Sequence, residues 1–217
     1  MDLATIRREY LRGGLRREHL SDNPWDLFSR WMEEALEIDI IDPTAMVVAT
    51  GADGGPLHQR IVLLKHFDEQ GLVFFTNYDS RKGQDIDANP RVSALFPWHA
   101  LERQVMVSGV AEKIPAEQSD AYFSSRPRES RLAALASAQS CPVEGRVRLE
   151  AAFRERQEQY PGNDIPRPAN WGGYRIRPAL FEFWQGGPHR LHDRFVYTCR
   201  EPAGSSGVTW HLERLAP

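Results

Sequence analysis

Only two cysteines, Cys141 and Cys199, occur in 217 residues, and no second cysteine stands at metal-ligand spacing from either. A disulfide framework and a cysteine-built metal centre are therefore excluded, and a reduced, cytoplasmic setting is the expectation. No apolar run reaches the roughly 20 residues of a membrane-spanning helix. The opening MDLATIRREY lacks the apolar core of a signal peptide. The formal net charge is only −3, which argues against general affinity for nucleic acid despite local pairs such as Arg7-Arg8 and Arg16-Arg17. The chain has no GxGxxG after a strand, no GxxxxGK[ST] and no GxSxG. Dinucleotide fingerprint, P-loop and nucleophile elbow are thus absent, and any phosphate must be held by side chains and helix N-termini. Internal repeats and low-complexity linkers are missing too, so one domain is expected.

What is present suffices for a sizeable core, since 41% of the residues are hydrophobic. Asn23-Pro24 marks a helix start, and Leu27, Phe28, Trp31, Met32, Ala35 and Leu36 recur at helical spacing behind it. Strand signals follow. AMVVAT (45–50), LHQRIVLLKHF (57–67), LVFFTN (72–77), RVSALFPW (91–98) and QVMVSGVAEKI (104–114) are separated by short turns such as GADGG and DEQG. WGGYRIRP and the stretch after it resume the pattern. Helices are inserted at 80–89 with Ser80 as N-cap, at 115–125, and near 142–160. The class is α+β: an antiparallel β-barrel with flanking helices.

Several polar groups stand where chemistry would need them. Arg60 and Lys65 lie inside the strand-like QRIVLLK, where charge is costly without a partner; taken alone, they read first as a Lys65 that caps a strand end and an Arg60 that pairs with a carboxylate, and second as candidates to hold a phosphate. Ser80-Arg81-Lys82 opens a helix, a place suited to a phosphate or simply a capped surface turn. Tyr122, Arg126 and Ser130 would share one face of a continuous helix, although Pro127 makes the helix restart. A phenol, a guanidinium and a hydroxyl form a plausible second phosphate clamp. Gln139-Ser140 adds a compact hydrogen-bonding pair. Farther along, FEFWQGGPHRLHDRFVY (181–197) mixes charge and aromatic area. Read as a strand from Arg190, it sets Arg190, His192 and Arg194 on one face and Leu191 and Asp193 on the other. Such a face suits an anion, or an edge strand protected by charge. Two anion sites beside an aromatic, cationic stretch suggest two phosphorylated ligands, a cofactor and a substrate.

These residues carry a specific resemblance. RREY, DPTAMVVAT, QRIVLLK, FFTNYDSRKG, NPRVSALFPW, LERQVMVSG, YFSSRPRES, the QS at 139–140, WGGYR, FEFWQGGPHRLHDRF and the terminal ERLAP resemble, in order, the pyridoxine/pyridoxamine 5′-phosphate oxidase family. The resemblance implies a homodimeric split β-barrel with FMN at the subunit interface. It implies oxidation of pyridoxine or pyridoxamine 5′-phosphate to pyridoxal 5′-phosphate by O2, giving hydrogen peroxide, with ammonia from the amine; this closes vitamin B6 cofactor synthesis and salvage. It further implies that Arg60, Ile61, Val62, Leu63, Leu64, Lys65, Phe75, Thr76, Arg81, Lys82, Gln104, Gln139, Ser140, Trp184 and Arg194 hold FMN. Lys65, Tyr122, Arg126 and Ser130 would hold the substrate phosphate. Arg190 and His192 would flank the substrate ring as the catalytic pair, with Leu191 between them. Arg7, Arg8, Glu9 and Tyr10 would belong to a mobile segment (1–20) covering the site, ahead of a single domain (21–217). No metal is implied. A split-barrel flavin reductase and a non-catalytic flavin or vitamer carrier are the alternatives, and neither needs the substrate-phosphate set together with Arg190 and His192.

Overall fold

The computed structural model describes residues 9–200 and 208–217, together with Met1, Leu3 and Thr5. Helix α1 (Pro24–Glu37) starts as expected: the Asn23 side chain accepts the Trp25 N–H at 3.1 Å, and Pro24 takes a position that needs no N–H partner. Its apolar stripe is buried through Trp25, Leu27, Phe28, Trp31, Met32 and Ala35, but Leu36 is 57% exposed, one position off the stripe. Burying each such large side chain contributes about 1.5–3 kcal/mol.

Strands β1 (Ala45–Thr50), β2 (His58–Leu63), β3 (His66–Asp68) and β4 (Gly71–Asn77) come next, then helix α2 (Arg81–Ala88). Strands β5 (Arg91–Trp98) and β6 (Arg103–Lys113) precede helices α3 (Ala116–Ser125), α4 (Arg128–Ala136) and α5 (Arg146–Gln159). The chain closes with β7 (Trp171–Gln185), β8 (Asp193–Arg200) and β9 (Thr209–Leu215). All strand pairs are antiparallel, in the order β2-β1-β5-β6-β7-β4-β3, with β8 on β7 and β9 on β8. The split arises at β7: residues 171–176 pair with β4, whereas 180–185 pair with β8. A register shift at Ser108/Gly109 on the neighbouring β6 bends the sheet at that junction. The core between the sheet and α1 is aromatic, with Trp25 on Phe181 (4.9 Å), Phe28 on Phe96 (5.3 Å) and Trp31 on Phe183 (5.4 Å).

Two expected elements differ in outline. The run 57–67 is two strands, because the Leu64 N–H bonds Thr44 O on the β1 side and the Lys65 N–H bonds Val73 O on the β4 side. The chain changes partner at that corner. The run 142–160 contracts to α5, and α4 is a separate helix before it.

Candidate active site

The corner at Leu64-Lys65 builds one wall of an open cavity of about 740 Å³. Arg60, Ile61, Val62, Leu63 and Lys65 line it from β2 and the corner, and Phe75 and Thr76 from β4. Arg81 and Lys82 enter from the start of α2, Tyr122, Arg126 and Ser130 from α3 and α4, and Gln139 and Ser140 from the loop beyond. Leu64 is the exception. Its side chain is 4% exposed in the main core, because alternation at the corner turns it away from its neighbours.

Five cationic side chains line the cavity, and no carboxylate does among the described residues. The Lys82 ammonium is buried and donates to three neutral oxygens, Thr76 Oγ1 (3.0 Å), Gln139 Oε1 (3.1 Å) and Ser80 Oγ (3.2 Å). Burial, then the nearby charge of Arg60, lowers its pKa to about 8. Ser80 stands at the N-cap as expected but does not cap with its side chain; its hydroxyl donates instead to Asn77 O at 2.6 Å. Arg60 Nη1 donates to Val48 O (3.1 Å) and Thr50 Oγ1 (2.7 Å), with Asp85 behind at 3.8 Å. Burial pulls the Asp85 pKa up, yet hydrogen bonds from Thr50 and His58 and the charge of Arg60 outweigh it and hold the carboxyl below its ordinary range.

Tyr122, Arg126 and Ser130 do not share one helix. Arg126 is extended (φ −72, ψ 149) between α3 and α4, since a residue before proline avoids the helical region. All three still reach the cavity. Tyr122 stacks on Phe75 at 3.8 Å, and the Arg126 guanidinium lies 4.6 Å from the centre of the Trp171 ring. Arg126 Nη1 is buried without a hydrogen-bond partner among the described residues. A buried guanidinium nitrogen without a partner, lining the same cavity as an ammonium without a carboxylate partner among the described residues, suits a site for anions.

The remaining predicted residues form a second cluster. Gln104 pairs with Trp184, and Trp184 with Arg194, in one row across β6, β7 and β8. His192 packs on Trp184 at 4.7 Å, and the Tyr10 ring touches both at 5.6 and 5.3 Å. The shared strand face expected for Arg190, His192 and Arg194 is not found. Gly186-Gly187-Pro188 ends β7, Pro188–Arg190 makes a tight turn with positive φ at His189 (55°) and Arg190 (65°), and β8 begins only at Asp193. Arg190 and Leu191 are exposed on that turn. Arg194 is already paired with Glu182 at 2.9 Å. The Gly187 N–H donates to His192 Nδ1 at 3.1 Å, which leaves Nε2 to carry the ring proton.

Part of the N-terminal segment lies against this cluster. Glu102 Oε2 accepts the N–H groups of Leu11 and Arg12, both at 2.9 Å, and Asp193 Oδ2 accepts that of Leu15 at 2.8 Å. Tyr10 rests on Gly186, where a Cβ would sit 2.5 Å from the ring. Glu9 is exposed, and Arg7 and Arg8 lie outside the described residues.

No residue of the second cluster lines the cavity. Trp171, at the cavity, and Trp184 stand at opposite ends of β7, on the order of 40 Å of strand contour apart. The cavity also takes in Asn77, Ala133, Ala134, Ser137 and Trp171, which the sequence reading did not assign. Trp171 opens the WGGYR motif, so a signal was there, but its partner Arg126 lies 45 positions away.

Comparison with known proteins adds an independent line. The family described as pyridoxamine 5′-phosphate oxidase matches residues 32–161, and the one described as pyridoxine 5′-phosphate oxidase C-terminal dimerisation region matches 171–217. The chain is 53% identical over 216 residues to the pyridoxine/pyridoxamine 5′-phosphate oxidase of Shewanella amazonensis, covering 100% of this chain and 99% of that one. It is 51% identical to the enzyme of the same name from Vibrio vulnificus, over the whole of both. Among solved structures, PhzG from Burkholderia lata 383, in complex with tetrahydrophenazine-1-carboxylic acid, superposes with a TM-score of 0.84 at 28% identity, covering 92% of this chain and 95% of that one.

Proposed function

This chain belongs to the pyridoxamine 5′-phosphate oxidase family, and from that premise we propose that its cavity and its Trp184 cluster are two halves of one flavin-dependent oxidase site. The protein is an oxidoreductase of pyridoxine and pyridoxamine 5′-phosphates and a homodimer. The cofactor is FMN, and each site takes its cavity from one subunit and its Trp184 cluster from the other. The protein works in the cytoplasm, in keeping with a sequence that carries only two cysteines. Residues 1–20 act as a cover over the single domain formed by 21–217.

The observation that carries this reading is the cavity's unpaired positive charge. Its size of about 740 Å³ suits small ligands, and buried Lys82 and half-buried Arg126, whose Nη1 is fully enclosed, each lack a carboxylate partner among the described residues. Two such groups, with Arg60, Arg81 and Lys65 beside them, fit two phosphates. Arg60, Arg81, Lys82, Gln139 and Ser140 hold that of FMN, while Phe75 and Thr76 and the backbone of 61–64 border its ring system. Lys65, Tyr122, Arg126 and Ser130 grip the phosphate of the substrate, leaving its C4′ at the far end. Gln104, Trp184 and Arg194 close the flavin site from the second subunit.

FMN held by these residues would supply the two-electron acceptor for the substrate's C4′ and the route to dioxygen. Overall, pyridoxine 5′-phosphate and O2 give pyridoxal 5′-phosphate and H2O2; the amine substrate also takes up water and releases ammonia. The protein's part is position and charge. The phosphate grip fixes one end of a small planar molecule, which holds the reacting carbon in a near-attack geometry. His192, with Nδ1 occupied by the Gly187 N–H, offers Nε2–H as a donor to a ring substituent. Arg190, on its exposed turn, guides the ring from the other side. Tyr10, seated on Trp184 and His192, shields that end from water.

The test is the spectrum of the purified protein. A yellow protein whose flavin bleaches anaerobically with pyridoxine 5′-phosphate, and recovers its colour with oxygen, is expected. A flavin reduced only by a nicotinamide would make the protein a reductase, and one that no vitamer reduces would make it a carrier.

A further inference from the structure

We propose that Trp171 is a positioning residue for the substrate phosphate, acting through Arg126. Arg126 sits on the non-helical joint between α3 and α4, where its own N–H bonds Phe123 O at 3.2 Å. Among the described residues no carboxylate pairs with its guanidinium, and Nη1 is buried without a hydrogen bond. The nearest compensation is the face of the Trp171 indole, 4.6 Å away, closer than the Phe123 ring at 5.7 Å. A guanidinium over an indole is attracted to the ring's negative face, most strongly when both are desolvated.

Trp171 itself is firmly set. It is 6% exposed and paired with Asn77 across β4 and β7; its carbonyl accepts from Arg167 Nη1 at 2.6 Å and its N–H bonds Pro168 O at 3.0 Å. Phe75 stacks beside it at 5.6 Å, and Tyr122, the phenol of the same clamp, stacks on Phe75 at 3.8 Å. Three near-parallel rings therefore carry the sheet's rigidity out to a guanidinium on a non-helical joint. The indole keeps the Arg126 guanidinium aimed while the site is empty, so that substrate binding does not have to order it.

This inference rests on the reading that Arg126 holds the substrate phosphate, and a double-mutant cycle on the FMN-loaded enzyme separates the two. Steady-state kcat and KM for pyridoxine 5′-phosphate are measured for Arg126→Ala, Trp171→Leu, Trp171→Phe and Arg126→Ala/Trp171→Leu. Bound flavin is quantified by absorbance. Trp171→Leu should raise KM on the order of three- to thirtyfold with kcat little changed and flavin retained. Trp171→Phe, which keeps a weaker aromatic face, should recover most of the loss. In the Arg126→Ala background Trp171→Leu should add nothing. An unchanged KM in Arg126→Ala would remove the phosphate reading and the inference with it. A raised KM in Arg126→Ala that multiplies with that of Trp171→Leu would overturn the inference alone. If Trp171→Leu does not fold, the same cycle with Trp171→Phe decides, its smaller KM increase vanishing in Arg126→Ala or persisting there.

Discussion

Replacing Lys82 by Met tests the charge logic of the cavity. Lys82 is 7% exposed, its ammonium hydrogen-bonds only neutral oxygens among the described residues, and burial and Arg60 lower its pKa from the ordinary 10.5 to about 8. That depression corresponds to about 3 kcal/mol held against the charged form in the flavin-free protein. An anion beside Lys82 relieves it, so binding of FMN and protonation of Lys82 are linked. Below about pH 8 the group is charged in the flavin-free folded protein, and the full penalty is present. As pH rises from there towards 10.5, the folded chain releases the proton while the unfolded chain keeps it, so flavin-free stability increases and FMN affinity falls. The fall approaches tenfold per pH unit where the charge is required. Lys82→Met should weaken FMN on the order of ten- to a hundredfold at neutral pH, the range of a charge-assisted hydrogen bond. It should flatten the pH dependence and leave the affinity for riboflavin, which lacks the phosphate, nearly unchanged. Titrating flavin-free protein with FMN and with riboflavin, by quenching of flavin fluorescence, measures all of this. Equal losses for the two flavins, or a wild-type FMN affinity that is flat above pH 8, would refute the reasoning.

Arg190→Ala and His192→Ala should leave a folded, yellow protein but slow anaerobic flavin reduction or weaken substrate binding; wild-type reduction at wild-type affinity in both would remove them from the reaction. Glu102→Ala removes the acceptor shared by the N–H groups of Leu11 and Arg12, an interaction of about 1.5–3 kcal/mol for a charged group. Residues 10–15 should become more open to limited proteolysis, and KM should rise severalfold with FMN retained. Unaltered cleavage would show that the carboxylate does not hold the segment.

Local chemistry made much of the fold readable. The Asn23-Pro24 start and the spacing of Leu27 to Ala35 are properties of neighbouring residues, and α1 follows them. The alternating runs 45–50, 72–77 and 91–98 became β1, β4 and β5 with small shifts. Failures came where a distant partner decides. Leu64-Lys65 is an apolar-to-basic step like any other until Thr44 and Val73 compete for its two N–H groups and break the strand. The turn at 188–190 is signalled by Gly186-Gly187-Pro188, but the alternation of Arg190, His192 and Arg194 hid it. β9 went unread because its pattern becomes a strand only against β8. The cavity charges within QRIVLLK were legible as charges in a costly place, and SRK as a helix start suited to a phosphate. The weight of Trp171 was not, because it depends on a ring meeting a guanidinium that only the fold brings near.

The central claim is that one oxidase site is assembled from two clusters on two chains, and hybrid dimers test it most directly. One chain carries Arg126→Ala, damaging the cavity, and the other His192→Ala, damaging the Trp184 cluster. Each homodimer should be impaired. Dimers formed by refolding the two together should regain activity, because every hybrid holds one site whose cavity and cluster are both intact; at random pairing, about a quarter of all sites are restored. Hybrid dimers no more active than the two homodimers would contradict the account.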